Sequence, residues 1–267
     1  RFQRDLEQVH AGDGWLDLEG QGTFAALDLL AARVGQAEYR PAHGAQYTAN
    51  DAFHRGLMQI AQLIKADIGL EVACVDINGW DHHANQISAD DPTVGTLATM
   101  LLRMSTGLTA FLTDMRDHLG DGSGPGITVV TMSEFGRRAS ENASLGTDHG
   151  HGNVMFLLGR AVNGGRVYAN PWPGLADGDL DRGDLAGTTE YRDVLGEILS
   201  KRMGNSRIED VFPDHTFRSH GLVKDLVMPP TATPTREPTA TPTERPTATP
   251  TRQDDQHAAY LPWAGRP

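Results

Sequence analysis

Residues 131–153 read TMSEFGRRASENASLGTDHGHGN. They lie between two apolar runs of β type, Gly126-Ile127-Thr128-Val129-Val130 before and Val154-Met155-Phe156-Leu157-Leu158 after. A connection between strands normally takes a few residues. This one takes about twenty, and it is crowded with groups that bind metals or move protons: Glu134, Arg137, Glu141, Asp148, His149 and His151. The sequence Gly146-Thr147-Asp148-His149-Gly150 sets a carboxylate and an imidazole side by side in a glycine-flanked turn, where both can face one ion.

Upstream, Asn50 or Asp51 caps a helix in which Phe53, Leu57, Ile60, Leu63 and Ile64 recur at helical spacing until Gly69. The run Leu70-Glu71-Val72-Ala73-Cys74-Val75-Asp76-Ile77 is short and apolar, as a buried strand is. Its carboxyl end delivers a second cluster, Gly79-Trp80-Asp81-His82-His83. Residues 92–119 read as a long helix carrying Leu97, Leu101, Met104, Leu108, Phe111, Leu112 and Met115 inward. Nearer the N-terminus, Thr23 is a plausible N-cap for a helix bearing Phe24, Leu27, Leu30 and Val34 that ends near Gly35. Downstream, Asn163-Gly164-Gly165-Arg166 predicts a hairpin into Val167-Tyr168, and residues 189–203 predict a further helix. This alternation of helix and strand predicts an α/β fold with a mostly parallel sheet. Both clusters directly follow strands, so both are expected on the carboxyl edge of that sheet, where such folds bind ligands.

Each cluster by itself allows two readings: a polar loop with solvated histidines, or part of a metal site. A shared sheet edge favours the metal, and aspartate with histidine suits zinc, manganese or iron better than calcium. Glu134 and Arg137 either hold an anionic substrate through the arginine fork or pin the long loop by a buried salt bridge. Asn142 and Ser144 read as turn formers. Ser133 lacks the G-x-S-x-G surroundings of a nucleophile elbow. His151 reads as an outer or solvated histidine, and no spacing ties His215 or His220 to the site.

The composition is that of a soluble protein, 39% hydrophobic and 22% charged. The formal net charge of -12 lies within residues 1–228, because four arginines (236, 245, 252, 266) balance four acids beyond them. An acidic domain lacks the clustered Lys and Arg that sequence-independent nucleic-acid binding requires. Cys74 is the single cysteine, so no disulfide can form within the chain. No apolar run reaches the length of a transmembrane span. The chain begins at Arg1 with no leader pattern, which predicts a removed signal segment or a fragment.

Three organisational units are expected: residues 1–228, a linker 229–253 and a short apolar segment 254–267. After Pro229 the linker is three octads, PTATPTRE, PTATPTER and PTATPTRQ. These offer almost no apolar area to offset ordering entropy, so a disordered, PPII-like spacer is expected. At ~3.1 Å per residue it would reach roughly 70 Å. Thr/Pro tracts of this kind belong to exported proteins and point to an extracellular or cell-surface location. The final segment, Ala258-Ala259-Tyr260-Leu261-Pro262-Trp263, is either an attachment to the cell envelope or a sticky end.

At the two clusters the chain resembles a known family. Gly79-Trp80-Asp81-His82-His83-Ala84-Asn85-Gln86 resembles its GWDTHxNQ signature, and Ser133-Glu134-Phe135-Gly136-Arg137 with Asn142 and Gly146-Thr147-Asp148-His149-Gly150 resembles its SEFGRT…N…GTDHG signature. Gly164-Gly165-Arg166-Val167-Tyr168 and Tyr191-Arg192-Asp193-Val194 follow its later pattern. This is the exported bacterial family of domain of unknown function 1501, regarded as a distant relative of sulfatases and alkaline phosphatases. The resemblance implies an alkaline-phosphatase-like three-layer α/β/α fold. It implies a divalent metal, zinc or manganese, held by Asp81, His83, Asp148 and His149, with Glu134 and Arg137 in support. It implies a metal-dependent hydrolase acting on a small anionic phosphate or sulfate ester; the alternative is a non-catalytic surface protein that keeps the fold and at most a structural metal. His82 and Asn78 depart from the signature where Thr and Gly are usual, and Arg138 replaces a Thr. The family's early GGNDGLN segment has no match in residues 1–50, so the chain is expected to be the C-terminal part of the domain, lacking one metal carboxylate and the nucleophile.

Overall fold

Helices α3 (Ala52–Lys65) and α4 (Thr96–Asp114) pack against each other. In this computed structural model, residues 2–34, 38–91, 93–169 and 171–226 are described. The Thr/Pro linker 229–253, the segment 254–267 and the expected helix end at Gly35 lie outside them. The N-cap of α3 is Asp51, whose carboxylate accepts the amides of Phe53 at 2.8 Å and His54 at 3.1 Å. Arg103 of α4 binds the same carboxylate and also donates to Asn78 O at 3.1 Å. The Arg103 guanidinium holds the Asp51 carboxyl down at about 2. One arginine thus joins the start of α3, the middle of α4 and the segment that leads to Asp81. Between the two helices Phe53, Leu57, Ala61, Leu108, Phe111 and Met115 are buried together. Truncating Phe111 to alanine in such a core costs about 3–5 kcal/mol.

Two short antiparallel ribbons follow. Strand β1 (Val129–Val130) pairs with β4 (Leu157–Leu158), in the register Val129 to Leu158 and Val130 to Leu157. Strand β2 (Gly136–Arg137) pairs with β3 (His149–Gly150), with Gly136 opposite Gly150 and Arg137 opposite His149. The second ribbon nests inside the connection of the first. Val129 and Leu158 share one face and pack on the α3–α4 core. Val130 and Leu157 share the other and pack on Val194, Leu222 and Val223 beside α5 (Tyr191–Arg202). A short helix, α6 (Ile208–Val211), follows α5.

This corrects the expected architecture. The described residues hold six α-helices and two two-stranded antiparallel sheets, not a three-layer α/β/α fold with a mostly parallel sheet. A parallel pair needs a crossover connection, usually a helix. The connection between β1 and β4 contains no helix and doubles back through β2 and β3, so the two apolar runs meet antiparallel. The run 70–77 is no buried strand either: among the described residues it has no ladder partner. Val75 and Ile77 pack on the α3–α4 core, whereas Val72 is 63% exposed and Cys74 is exposed. The segment alternates as extended chain should, but only one of its faces is covered.

Three smaller expectations also change. Helix α2 (Trp15–Val34) begins well before Thr23, whose hydroxyl bonds back to Glu19 O at 2.9 Å inside the helix instead of capping it. Helix α1 (Phe2–Val9) packs against α2. The hairpin at 163–166 does not form. Val162 bridges Val223, and the Tyr168 hydroxyl anchors the turn by donating to Asn163 O at 2.8 Å. No helix among the described residues is long and apolar enough to cross a membrane.

Candidate metal centre

The loop 79–87 rests on the N-terminus of α4. The free amides of Thr96 and Leu97 donate to Asn85 O and Gln86 O, both at 3.1 Å. Gly95, at φ 140°, permits this approach, since a Cβ there would lie 2.6 Å from Gln86 O. The other half of the site, residues 138–148, is the turn between β2 and β3. The halves are stitched together at several points. The amides of Asn85 and Gln86 donate to Ser144 O at 3.0 Å and Leu145 O at 2.8 Å. Thr147 Oγ1 donates to Gln86 Oε1 at 2.9 Å. Arg137 donates to Thr147 O at 2.6 Å and to Trp80 O.

This stitching brings three side chains to one point. Asp81 Oδ1 lies 2.7 Å from His149 Nε2 and 3.1 Å from His83 Nε2. One donor atom from each residue lies within 4.8 Å of the other two, and all three residues are exposed. The His149 imidazole holds the Asp81 carboxyl below the usual carboxylate range, with His83 adding to it. Phe135 stacks on His149 with ring centres 4.2 Å apart and planes at 15°. The Arg137 guanidinium lies 5.1 Å from the Phe135 ring centre. The donors fit a divalent cation: one carboxylate and two imidazoles converge, their outer side open to solvent, and they suit zinc, manganese or iron.

Of the four expected ligands, Asp81, His83 and His149 meet, and Asp148 does not join them. Its Oδ1 lies 3.3 Å from His83 Nδ1, at the far end of the ring from Asp81. Hydrogen bonds from Asn142 and then from His83 lower the Asp148 carboxyl. Arg137 pins the loops through carbonyls and makes no salt bridge with Glu134, which is exposed. Ser133 Oγ donates to Phe135 O at 2.8 Å, closing its own turn. His82 has both ring nitrogens buried and without a hydrogen-bond partner; burial and then the nearby Arg137 charge hold its imidazole below the usual range. His151 is engaged elsewhere, with Nε2 3.0 Å from Asp181 and Nδ1 2.8 Å from Asp184.

His215 and His220 belong to a separate cluster around the buried Asp193. Asp193 is not among the candidate ligands in the sequence; a pair of acids four residues apart, Asp193 and Glu197, on an inward stripe is the signal that marks it. Asn142 forms the turn expected of it, its side-chain oxygen accepting from Ser144 N and Gly146 N, whereas Phe135 was visible only as part of the motif.

No curated protein and no solved structure matches the chain. Residues 18–193, which include every residue of the candidate centre, match the family described as "Protein of unknown function (DUF1501)". The chain belongs to the DUF1501 family.

Proposed function

We propose that this protein is a metal-dependent hydrolase of small phosphate or sulfate esters, and that Asp81, His83 and His149 hold one divalent cation of the zinc or manganese type. The observation that carries the reading is the convergence of these three donor atoms from two loops. Two imidazoles and one carboxylate leave room for a further ligand, as hydrolytic metal sites do. When bound, the cation supplies Lewis acidity toward the ester oxygens. The protein's part is to hold the donors in place: Phe135 fixes the plane of His149, and Arg137 locks the two loops together. The Thr/Pro octads support an exported protein, with the C-terminal segment as an envelope attachment. Cell fractionation checks this, and recovery in the cytosol overturns it.

A specific observation favours a second reading, a domain that binds metal without turnover. Ser133 is engaged with its own turn, and Arg137 spends its guanidinium on carbonyls, so neither stands free to attack or to clamp an anion. Metal analysis of the purified protein, followed by assays on aryl phosphates and aryl sulfates with added zinc, manganese or iron(II), separates the two. Hydrolysis that disappears in Asp81→Ala supports the enzyme. Stoichiometric metal without hydrolysis supports the second reading, and absence of metal binding overturns both.

A further inference from the structure

Histidine can present either ring nitrogen to an ion, and the hydrogen bond made by the other nitrogen decides which one it is. In His83 the two ends of the ring face different carboxylates. Nε2 lies 3.1 Å from Asp81 Oδ1, on the side shared with His149, and Nδ1 lies 3.3 Å from Asp148 Oδ1. Asp148 is itself held: Asn142 Nδ2 donates to its Oδ1 at 3.1 Å and to His83 O at 2.9 Å. The amide oxygen of Asn142 accepts from Ser144 N at 2.9 Å and Gly146 N at 3.3 Å, so every arm of the side chain is used. Gly146 makes the arrangement possible, because a Cβ there would lie 2.3 Å from His83 O.

We infer that Asp148, clamped by Asn142, is a positioning residue: it accepts the Nδ1 proton of His83 and thereby presents Nε2 to the metal beside Asp81 and His149. This rests on the metal reading above and assigns the fourth residue of the cluster a place behind the ligands instead of among them. The two roles differ in what their loss does. Removing a ligand changes the donor set, whereas removing an orienting carboxylate leaves the donor set intact and weakens binding about 10–100-fold.

The test is a competitive titration with zinc, together with the visible spectrum of the cobalt(II)-loaded protein. Asp148→Asn is expected to lower zinc affinity about 10–100-fold with unchanged stoichiometry and an unchanged cobalt spectrum. Asn142→Ala is expected to reproduce part of that loss, and the double variant to lose no more than Asp148→Asn alone, because the two act in series. Asn142→Ala also keeps the test alive if Asp148→Asn does not fold. Wild-type affinity in both variants overturns the inference. So does an Asp148→Asn protein whose cobalt spectrum changes and whose binding is lost as fully as in Asp81→Ala, since Asp148 is then a ligand. A wild-type protein that binds neither zinc nor cobalt overturns the metal reading itself, a result distinct from either of these.

Discussion

Among the described residues, two clusters set one aspartate between two histidines, and they are built in opposite ways. Around Asp81 both imidazoles address the same oxygen, Oδ1, so their nitrogens converge. Around Asp193 each imidazole takes its own oxygen, His215 Nε2 at 2.8 Å from Oδ1 and His220 Nε2 at 3.1 Å from Oδ2, while Arg218 N also donates to Oδ1 at 2.8 Å. The Asp81 side chain is 66% exposed and that of Asp193 5%. Convergent donors facing solvent are what an ion needs. Divergent donors wrapped around a buried carboxylate make a brace. One turn further along α5, buried Glu197 extends that brace by accepting from His220 N, Gly221 N and Val223 N. Residue type alone does not tell the two apart; the number of carboxylate oxygens addressed, and burial, do.

The largest expected effect separates them by metal. Asp81→Ala removes one of three donors and is expected to lower zinc affinity on the order of a thousandfold, roughly 4 kcal/mol. Asp193→Ala is expected to leave it unchanged. Calorimetric titration of both variants checks the pair, and a metal defect confined to Asp193→Ala would reverse the assignment of the two clusters.

Stability should show the reverse pattern. Asp193→Ala strips buried partners from two imidazoles and an amide and is expected to cost about 3 kcal/mol. Asp81→Ala, at an exposed site, is expected to stay within about 0.5 kcal/mol of the parent. Urea midpoints of the metal-free proteins decide this, and equal midpoints for the two variants would remove the distinction between brace and ligand set.

A smaller effect follows with pH. Burial pushes the Asp193 carboxyl up, but the Arg218 amide and the His215 and His220 imidazoles outweigh it and hold it below its usual value. Glu197 behaves alike, burial being outweighed by Lys201 and the backbone amides it accepts. Groups whose folded values are lowered stabilise the fold above their unfolded values, and that stability is lost as pH falls through the folded ones. Stability is therefore expected to hold near neutrality and to decline below about pH 4. Asp51, held at about 2 by Arg103, carries the decline lower still. Asp193→Asn is expected to shallow the slope between pH 4 and pH 2, as measured by thermal melting along a pH series; an unchanged slope would show that Asp193 is not part of the acid response.

The sequence revealed some of this and hid the rest for physical reasons. Helices α3, α4 and α5 were legible because apolar residues at three-to-four spacing have one way to bury a face, and the cap of α3 was legible as Asn50 or Asp51, of which Asp51 serves. The parallel sheet was not, because an apolar run such as 70–77 announces burial without naming its partner; here one face packs on helices and no strand pairs with it among the described residues. Asp81, His83 and His149 were legible as ligands through the resemblance of their two clusters to one family's signatures, since each cluster by itself also reads as a polar loop. The place of Asp148 behind His83 was not, since adjacency to His149 in sequence says nothing about which way each side chain turns. The brace escaped because Asp193 lies more than twenty residues from His215 and His220, a separation that leaves no local pattern.

The smallest expected effect tests whether the exposed cluster works through its donors alone or together with the Ser133 hydroxyl. Ser133 Oγ donates to Phe135 O at 2.8 Å and receives Phe135 N at 3.4 Å, a local turn that an exposed backbone can replace with water. Ser133→Ala is therefore expected to change stability by no more than about 0.5 kcal/mol. Zinc affinity and any ester hydrolysis should stay at the parent level, because no donor atom is touched. If hydrolysis instead disappears while metal affinity and the urea midpoint stay fixed, Ser133 takes part in the chemistry. The exposed cluster would then be a metal site that activates a neighbouring hydroxyl, and its difference from the Asp193 brace would lie in the group it serves as much as in the ion it holds.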